Sequence, residues 1–103
     1  MDAQLEILKR LLIDTAWDWL EKNKHAIGDN WYEKISKYLR RADTEITDKV
    51  RLMGYALWLY NVVTNFAVLA YMSRRRYVIW RINENLDAKT TKQLIAVIHM
   101  CLW

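Results

Sequence analysis

The spacing of apolar residues predicts a helix over residues 3–25 and a second helix after it. The buried stripe expected for the first helix repeats every three or four residues and consists of Leu5, Leu8, Leu12, Ala16 and Trp19. Gly28 predicts the end of this helix, because glycine accepts the left-handed conformation that closes helices. Asn30 followed by Glu33 indicates a capping box, so the second helix is expected to run to about Ala42. Its expected buried residues are Trp31, Ile35, Tyr38 and Leu39.

A third helix, which Asp43 or Thr44 would cap, is predicted to be apolar on nearly all sides. One seam at helical spacing consists of Ile46, Val50, Met53, Leu57, Tyr60, Thr64, Ala67 and Tyr71. A second seam consists of Leu52, Ala56, Leu59, Val63, Phe66 and Ala70. The least apolar side carries Arg51, Gly54, Trp58, Asn61 and Asn65. Such a helix is typical of the buried centre of a bundle or of a membrane span.

The last part of the chain also favours helix. The apolar run at residues 77–82 has the composition of a strand, but the chain offers no second strand to pair with it, and a lone strand is not stable. Asn85 is expected to interrupt the helical pattern, and Asp87 to cap a last helix from about Ala88 to Leu102. The expected buried stripe of that helix is Thr91, Leu94, Ile95, Ile98, Cys101 and Leu102.

The composition agrees with a helical protein. With no proline and two glycines in 103 residues, the turn residues of β-sandwiches and barrels are missing. A hydrophobic content of 53% opposes intrinsic disorder, and a single cysteine excludes an internal disulfide. We therefore expect an all-α bundle of four main helices forming a single domain over residues 1–103. Its third helix would be central, and either continuous or broken near Ser73.

The positive charge is concentrated in one part of the chain. The net charge is +4, yet the stretch between Asp48 and Glu84 contains six basic residues and no acidic one. The remaining ten basic and twelve acidic residues carry a net charge of −2. A local positive field attracts phosphate, anionic lipid or an acidic protein surface. The N-terminal segment lacks the pattern of a signal peptide, so a cytoplasmic location is expected.

Residues suited to catalysis are few. His25 and His99 fall in different predicted helices, and we expect an exposed His25 and a partly buried His99. A spacing of two points His99 and Cys101 to different sides of a helix, which makes a poor metal site. Asp14 with Asp18 is expected to be a solvated pair of carboxylates, and two glycines cannot form a phosphate-binding loop. We therefore expect no catalytic residues, no metal and no cofactor.

The best candidate for partner binding is a basic-aromatic cluster consisting of Arg74, Arg75, Arg76, Tyr77, Trp80 and Arg81. Arginine pairs bidentately with phosphate, and aromatic rings offer a face on which bases stack. The competing interpretation is that basic residues after a long helix interact with its dipole and keep an apolar protein soluble. Trp103 at the chain end, with Arg40 and Arg41, is a further candidate interface, including one between two copies of the chain.

These features predict a small non-enzymatic binding protein, a regulator or inhibitor that acts stoichiometrically on nucleic acid or a nucleoprotein complex. One alternative is an inhibitor that binds an acidic protein surface. Another is a membrane protein, because residues 52–73 are uncharged and would span roughly 33 Å as a helix. Asn61, Thr64 and Asn65 near the middle of that stretch oppose a span. In size and organisation the chain is similar to small stoichiometric helical proteins such as bacteriocin immunity proteins or phage-encoded inhibitors.

Overall fold

A computed structural model describes the backbone of residues 2–72 and 76–102 and the side chains of residues 2–66 and 88–102. These residues form five helices and no strand, which confirms the predicted all-α bundle. The helices are α1 (Ala3–Lys22), α2 (Lys24–Ile27), α3 (Asp29–Glu45), α4 (Lys49–Met72) and α5 (Arg76–Cys101). The short helix α2 is a single turn, so the bundle has the four main helices that the periodicity predicted.

The first helix is shorter than the predicted span of residues 3–25. It begins after Asp2, whose carboxylate accepts a hydrogen bond from the backbone N–H of Gln4 at 3.1 Å. It ends at Asn23, whose buried side-chain amide donates to the carbonyl of Trp19 at 2.9 Å. This local bond satisfies a carbonyl at the helix end and separates α1 from α2.

Gly28, the predicted end of the first helix, instead ends the one-turn helix α2 and has a φ of +84°. The expected capping box at Asn30 and Glu33 is wrong, because α3 begins at Asp29 directly after Gly28. The left-handed backbone at Gly28 reverses the chain within one residue, and no side-chain bond caps α3. Because Gly28 alone separates α2 from α3, Asn30 already lies inside α3 and cannot be its N-cap.

The turn between α3 and α4 also lies later than predicted. Asp43 and Thr44 belong to α3, and Asp48 acts at the start of α4 by accepting from the N–H of Arg51 at 2.8 Å. Asp43 instead forms ion pairs with α1, at 3.4 Å to the Lys9 amine and in a close pair with Arg10. These contacts bind the end of α3 to α1.

Helix α5 is continuous, which corrects the break predicted at Asn85 and Asp87. The two polar residues cost a long helix only a few tenths of a kcal/mol each relative to better helix formers, less than an interruption would. Helix α5 packs along α4 and also contacts α1. Its C-terminal end lies near the start of α4, since the charge of Lys49 acts on the Cys101 thiol. Helices α4 and α5 are therefore antiparallel, and the predicted break at Ser73 lies outside the described residues.

One contiguous core connects the four main helices. Its largest fully buried side chains include Trp19, Leu8, Leu12, Leu20, Ile35, Leu39, Ile46, Leu52, Leu59, Leu94, Val63 and Val97. Helix α4 packs along α5, contacts α1 and meets α3 through aromatic rings, and α1 likewise contacts the other three main helices. Several residues expected in the core are exposed instead, namely Trp31, Ile95 and Leu102.

The two apolar seams of α4 have different surroundings. The seam consisting of Leu52, Ala56, Leu59 and Val63 is buried. The other seam is buried at Ile46 but exposed at Val50, with 74% of its surface accessible, and at Leu57, with 43%. The least apolar side of α4 is exposed at Arg51, Gly54, Asn61 and Asn65, while Trp58 is half-buried. Helix α4 contacts α3 through Tyr55, Trp58 and Phe66.

Candidate functional site

The described residues offer little for metal or acid–base chemistry. Among them, no three histidine, cysteine or acidic side chains lie close enough to hold a metal ion. His25 is exposed as expected, and His99, which was expected to be partly buried, is exposed as well. Cys101 is half-buried, and burial raises the pKa of its thiol, while the charge of Lys49 acts in the opposite direction.

The predicted basic-aromatic cluster lies largely beyond the described side chains. Arg76, Tyr77, Trp80 and Arg81 belong to helix α5, which confirms that this apolar run is helical rather than a strand. Their side chains are outside the described residues, as are Arg74, Arg75 and Trp103 in full. Arg40 and Arg41, the weaker candidates, are exposed on α3. The binding roles of these residues stay predictions.

The described residues contain an open groove of about 450 Å³ between α3 and α4, which we call the α3–α4 groove. Tyr38 and Glu45 of α3 line one wall, and the first half of α4 forms the other wall. The α4 residues that line it are Arg51, Gly54, Tyr55 and Trp58. This groove combines aromatic rings with charged groups, which is the combination that the sequence predicted elsewhere in the chain.

Three aromatic rings of the α3–α4 groove are stacked against one another. The ring of Tyr38 lies 3.9 Å from that of Trp58 and 4.4 Å from that of Tyr55, measured between ring centroids. The interplanar angles are 32° and 40°, so the rings are tilted but face one another. Bulky rings at these positions join α3 to α4 and leave the groove open beside them.

A hydrogen bond between α4 and the end of α3 holds the ring of Tyr55 in place. The hydroxyl of Tyr55 donates to the carboxylate of Glu45. Burial raises the pKa of Tyr55, and this bond to a carboxylate raises it further, because both favour the neutral phenol. Burial likewise raises the pKa of Tyr38, while the charge of Arg41 lowers the pKa of both phenols. Arg41 is therefore close enough to the α3–α4 groove to act on it electrostatically.

The guanidinium of Arg51 lies at the rim of the groove. It donates to the backbone carbonyl of Glu45 at 3.4 Å and lies 3.7 Å from the carboxylate of Asp48. The side chain of Arg51 remains 60% exposed. A guanidinium carries five N–H groups, so these two contacts leave donors that face solvent.

Sequence reasoning missed the α3–α4 groove, although it named several of its residues. Tyr38 was expected to be buried, while Arg51, Gly54 and Trp58 were assigned to the least apolar side of α4. A glycine inside an otherwise apolar helix was the available signal, since glycine weakens a helix interior and needs a reason there. The missing information was which part of α3 would lie opposite Gly54.

Within the described part of the chain, no helix combines the length and the apolar character that a membrane crossing requires. Of the alternative span, residues 52–73, the structure describes the side chains of residues 52–66. No family model, curated protein or solved structure matches this chain. Its function must therefore be argued from its own residues.

Proposed function

We propose that this chain is a small non-enzymatic protein that binds nucleic acid or a nucleoprotein complex stoichiometrically, as a regulator or inhibitor. The observation that carries the proposal is the α3–α4 groove, where stacked aromatic rings lie beside an exposed guanidinium. Rings provide a face for bases, and arginine pairs bidentately with phosphate.

Two further features support this partner. Residues 49–83 contain six basic residues and no acidic residue, so the part of the chain that includes α4 carries the excess positive charge. On α3, the side chains of Arg40 and Arg41 are exposed. Positive charge of this kind supplies affinity for phosphate backbones whatever their sequence.

Salt dependence tests the proposal directly. Fluorescence anisotropy with a labelled oligonucleotide measures the affinity at several salt concentrations. We expect the affinity to fall steeply between about 50 and 200 mM salt, because each phosphate that the protein neutralises releases condensed counterions. The absence of binding at the lowest salt concentration would exclude nucleic acid, and an acidic protein surface would then be the partner to test.

A charge-matched pair of variants tests the predicted basic cluster. Replacing Arg74, Arg75 and Arg76 by Ser is expected to remove binding and leave the helical circular dichroism unchanged. The control variant replaces three exposed lysines elsewhere in the chain, namely Lys24, Lys89 and Lys92, and thereby loses the same charge. Equal losses in the two variants would show that net charge alone drives binding. Unaltered binding in the arginine variant would assign that cluster to solubility.

A further inference from the structure

Gly54 lies in the interior of α4, in its second turn, and lines the α3–α4 groove. Glycine destabilises a helix interior relative to alanine because it has more backbone freedom to lose on folding. A Cβ atom added at Gly54 would meet no described heavy atom within 4 Å. The packing of the described residues therefore does not require a glycine here, and the space above it is open to an occupant from outside the chain.

The spacing of the rings determines what kind of group fits. A cage for a methylated ammonium group places the cation over the faces of its aromatic rings. Here the stacked faces of Tyr38 and its two neighbours are only 3.9 and 4.4 Å apart, so nothing can enter between them. An occupant must extend the stack on the groove side, where Gly54 leaves room. A flat aromatic group satisfies that requirement.

The polar groups at the rim indicate what accompanies the flat group. Arg51 is held by Asp48 and by the Glu45 carbonyl, so its position is set before any ligand arrives. Its remaining N–H groups face solvent beside the stacked rings and suit an anion such as phosphate. A flat ring system joined to a phosphate is the chemistry of a nucleotide.

We propose that the α3–α4 groove binds an unpaired base of single-stranded nucleic acid. The base extends the Tyr38–Trp58 ring stack on its groove side, over Gly54, and Arg51 contacts the adjoining phosphate. This inference rests on the proposed function and deepens it, because it selects single strands over duplexes. A base inside a duplex is covered on both faces by its neighbours and cannot join the stack, whereas an unpaired base can.

A leucine placed in the groove provides the sharpest test. Gly54→Leu fills the open space with a good helix former, so the variant is expected to fold at least as well as the parent chain. The matched control is Asn61→Leu, which adds the same side chain to the exposed side of α4 outside the groove. Urea denaturation of both variants verifies that each is folded.

Affinity is measured by anisotropy with a labelled single strand of about 12 nucleotides at low salt. Gly54→Leu is expected to weaken binding by about 5- to 150-fold, the loss of one stacked base. Asn61→Leu is expected to bind within about twofold of the parent chain. Trp58→Ala should lose as much as Gly54→Leu, and Trp58→Phe should recover most of the loss because it retains a ring.

A strand with abasic sites in place of bases separates stacking from phosphate contacts. On that strand, Gly54→Leu and the parent chain should bind equally. Full affinity of Gly54→Leu for the normal strand, or equal affinity of the parent chain for a duplex, would overturn the groove proposal and leave the proposed function standing. The absence of any binding at low salt would overturn both.

Discussion

The two apolar seams of helix α4 are similar in sequence and differ in their surroundings. One seam, which contains Ala56 and Leu59, is buried against the other helices. The other seam, which contains Val50 and Leu57, faces solvent. The comparison shows that apolar character permits burial but does not produce it, because burial also needs a neighbouring helix at that position.

The buried seam of α4 and the α4 residues that line the α3–α4 groove also differ in how they contact the other helices. The buried side contributes aliphatic packing, whose strength depends on the area removed from water. The groove side meets the end of α3 through a phenol–carboxylate bond, a ring stack and a guanidinium. We infer that the first side holds the fold together while the second side offers directional groups to a partner.

The largest effect expected from this comparison comes from placing a carboxylate on each side of α4. Leu59→Asp should unfold the protein, because an unpaired charge in the core costs several kcal/mol, a large fraction of the stability of a small domain. Leu57→Asp, two residues away in the exposed seam, should change the free energy of unfolding by no more than about 0.5 kcal/mol. Thermal unfolding followed by circular dichroism compares the two variants. Equal melting temperatures would show that α4 has no distinct buried side.

An intermediate effect is expected at the hydrogen bond between Tyr55 and Glu45. Tyr55→Phe should lower the free energy of unfolding by about 1 kcal/mol at neutral pH, because one hydrogen bond is lost. Denaturation in urea measures the change. An unchanged stability would show that solvent replaces this bond without cost.

The same hydrogen bond predicts a dependence on alkaline pH. The pKa of Tyr55 is raised above its ordinary value of 10.0, chiefly by burial, so folding favours the neutral phenol. Its contribution to stability is therefore complete below pH 10 and is lost as the pH rises through the raised pKa. The parent chain should lose stability above pH 10 more steeply than Tyr55→Phe. Equal slopes would contradict the assignment to Tyr55, while part of the slope should persist because the pKa of Tyr38 is raised as well.

The smallest effect, and the only gain, is expected at Gly54. Gly54→Ala should raise the free energy of unfolding by about 0.5 to 1 kcal/mol, because alanine is the better helix former and its methyl group meets no described atom within 4 Å. Urea denaturation measures the gain. A loss of stability would show that Gly54 serves the packing of the chain rather than an external occupant.

The helices were largely predictable because the patterns that specify a helix involve residues close together in the sequence. The stripe through Leu5, Leu8 and Leu12 and the closing role of Gly28 follow from residues a few positions apart, and the structure confirms them. The errors occurred at the helix ends. Asp43 has the chemistry of a cap, but Lys9 and Arg10 of another helix draw it into ion pairs, which no local pattern reveals.

The candidate site was less predictable because it joins residues from two helices. Tyr38 and Trp58 lie 20 positions apart in sequence, yet their rings are 3.9 Å apart. Each residue alone suited the core of an amphipathic helix, and nothing in the spacing placed them together. The prediction at Arg74 to Arg81 rested on composition, which is visible without a fold, and its side chains lie outside the described residues.

The amino-acid order by itself determined that this protein is helical, because apolar periodicity, absent proline and scarce glycine act within a few turns of chain. It also determined that the excess positive charge belongs to residues 49–83. Only the tertiary structure decided which apolar seam of α4 became core and which stayed exposed. That choice depends on how α3 and α5 pack around α4, and packing is a sum over distant residues that no single stretch of sequence contains.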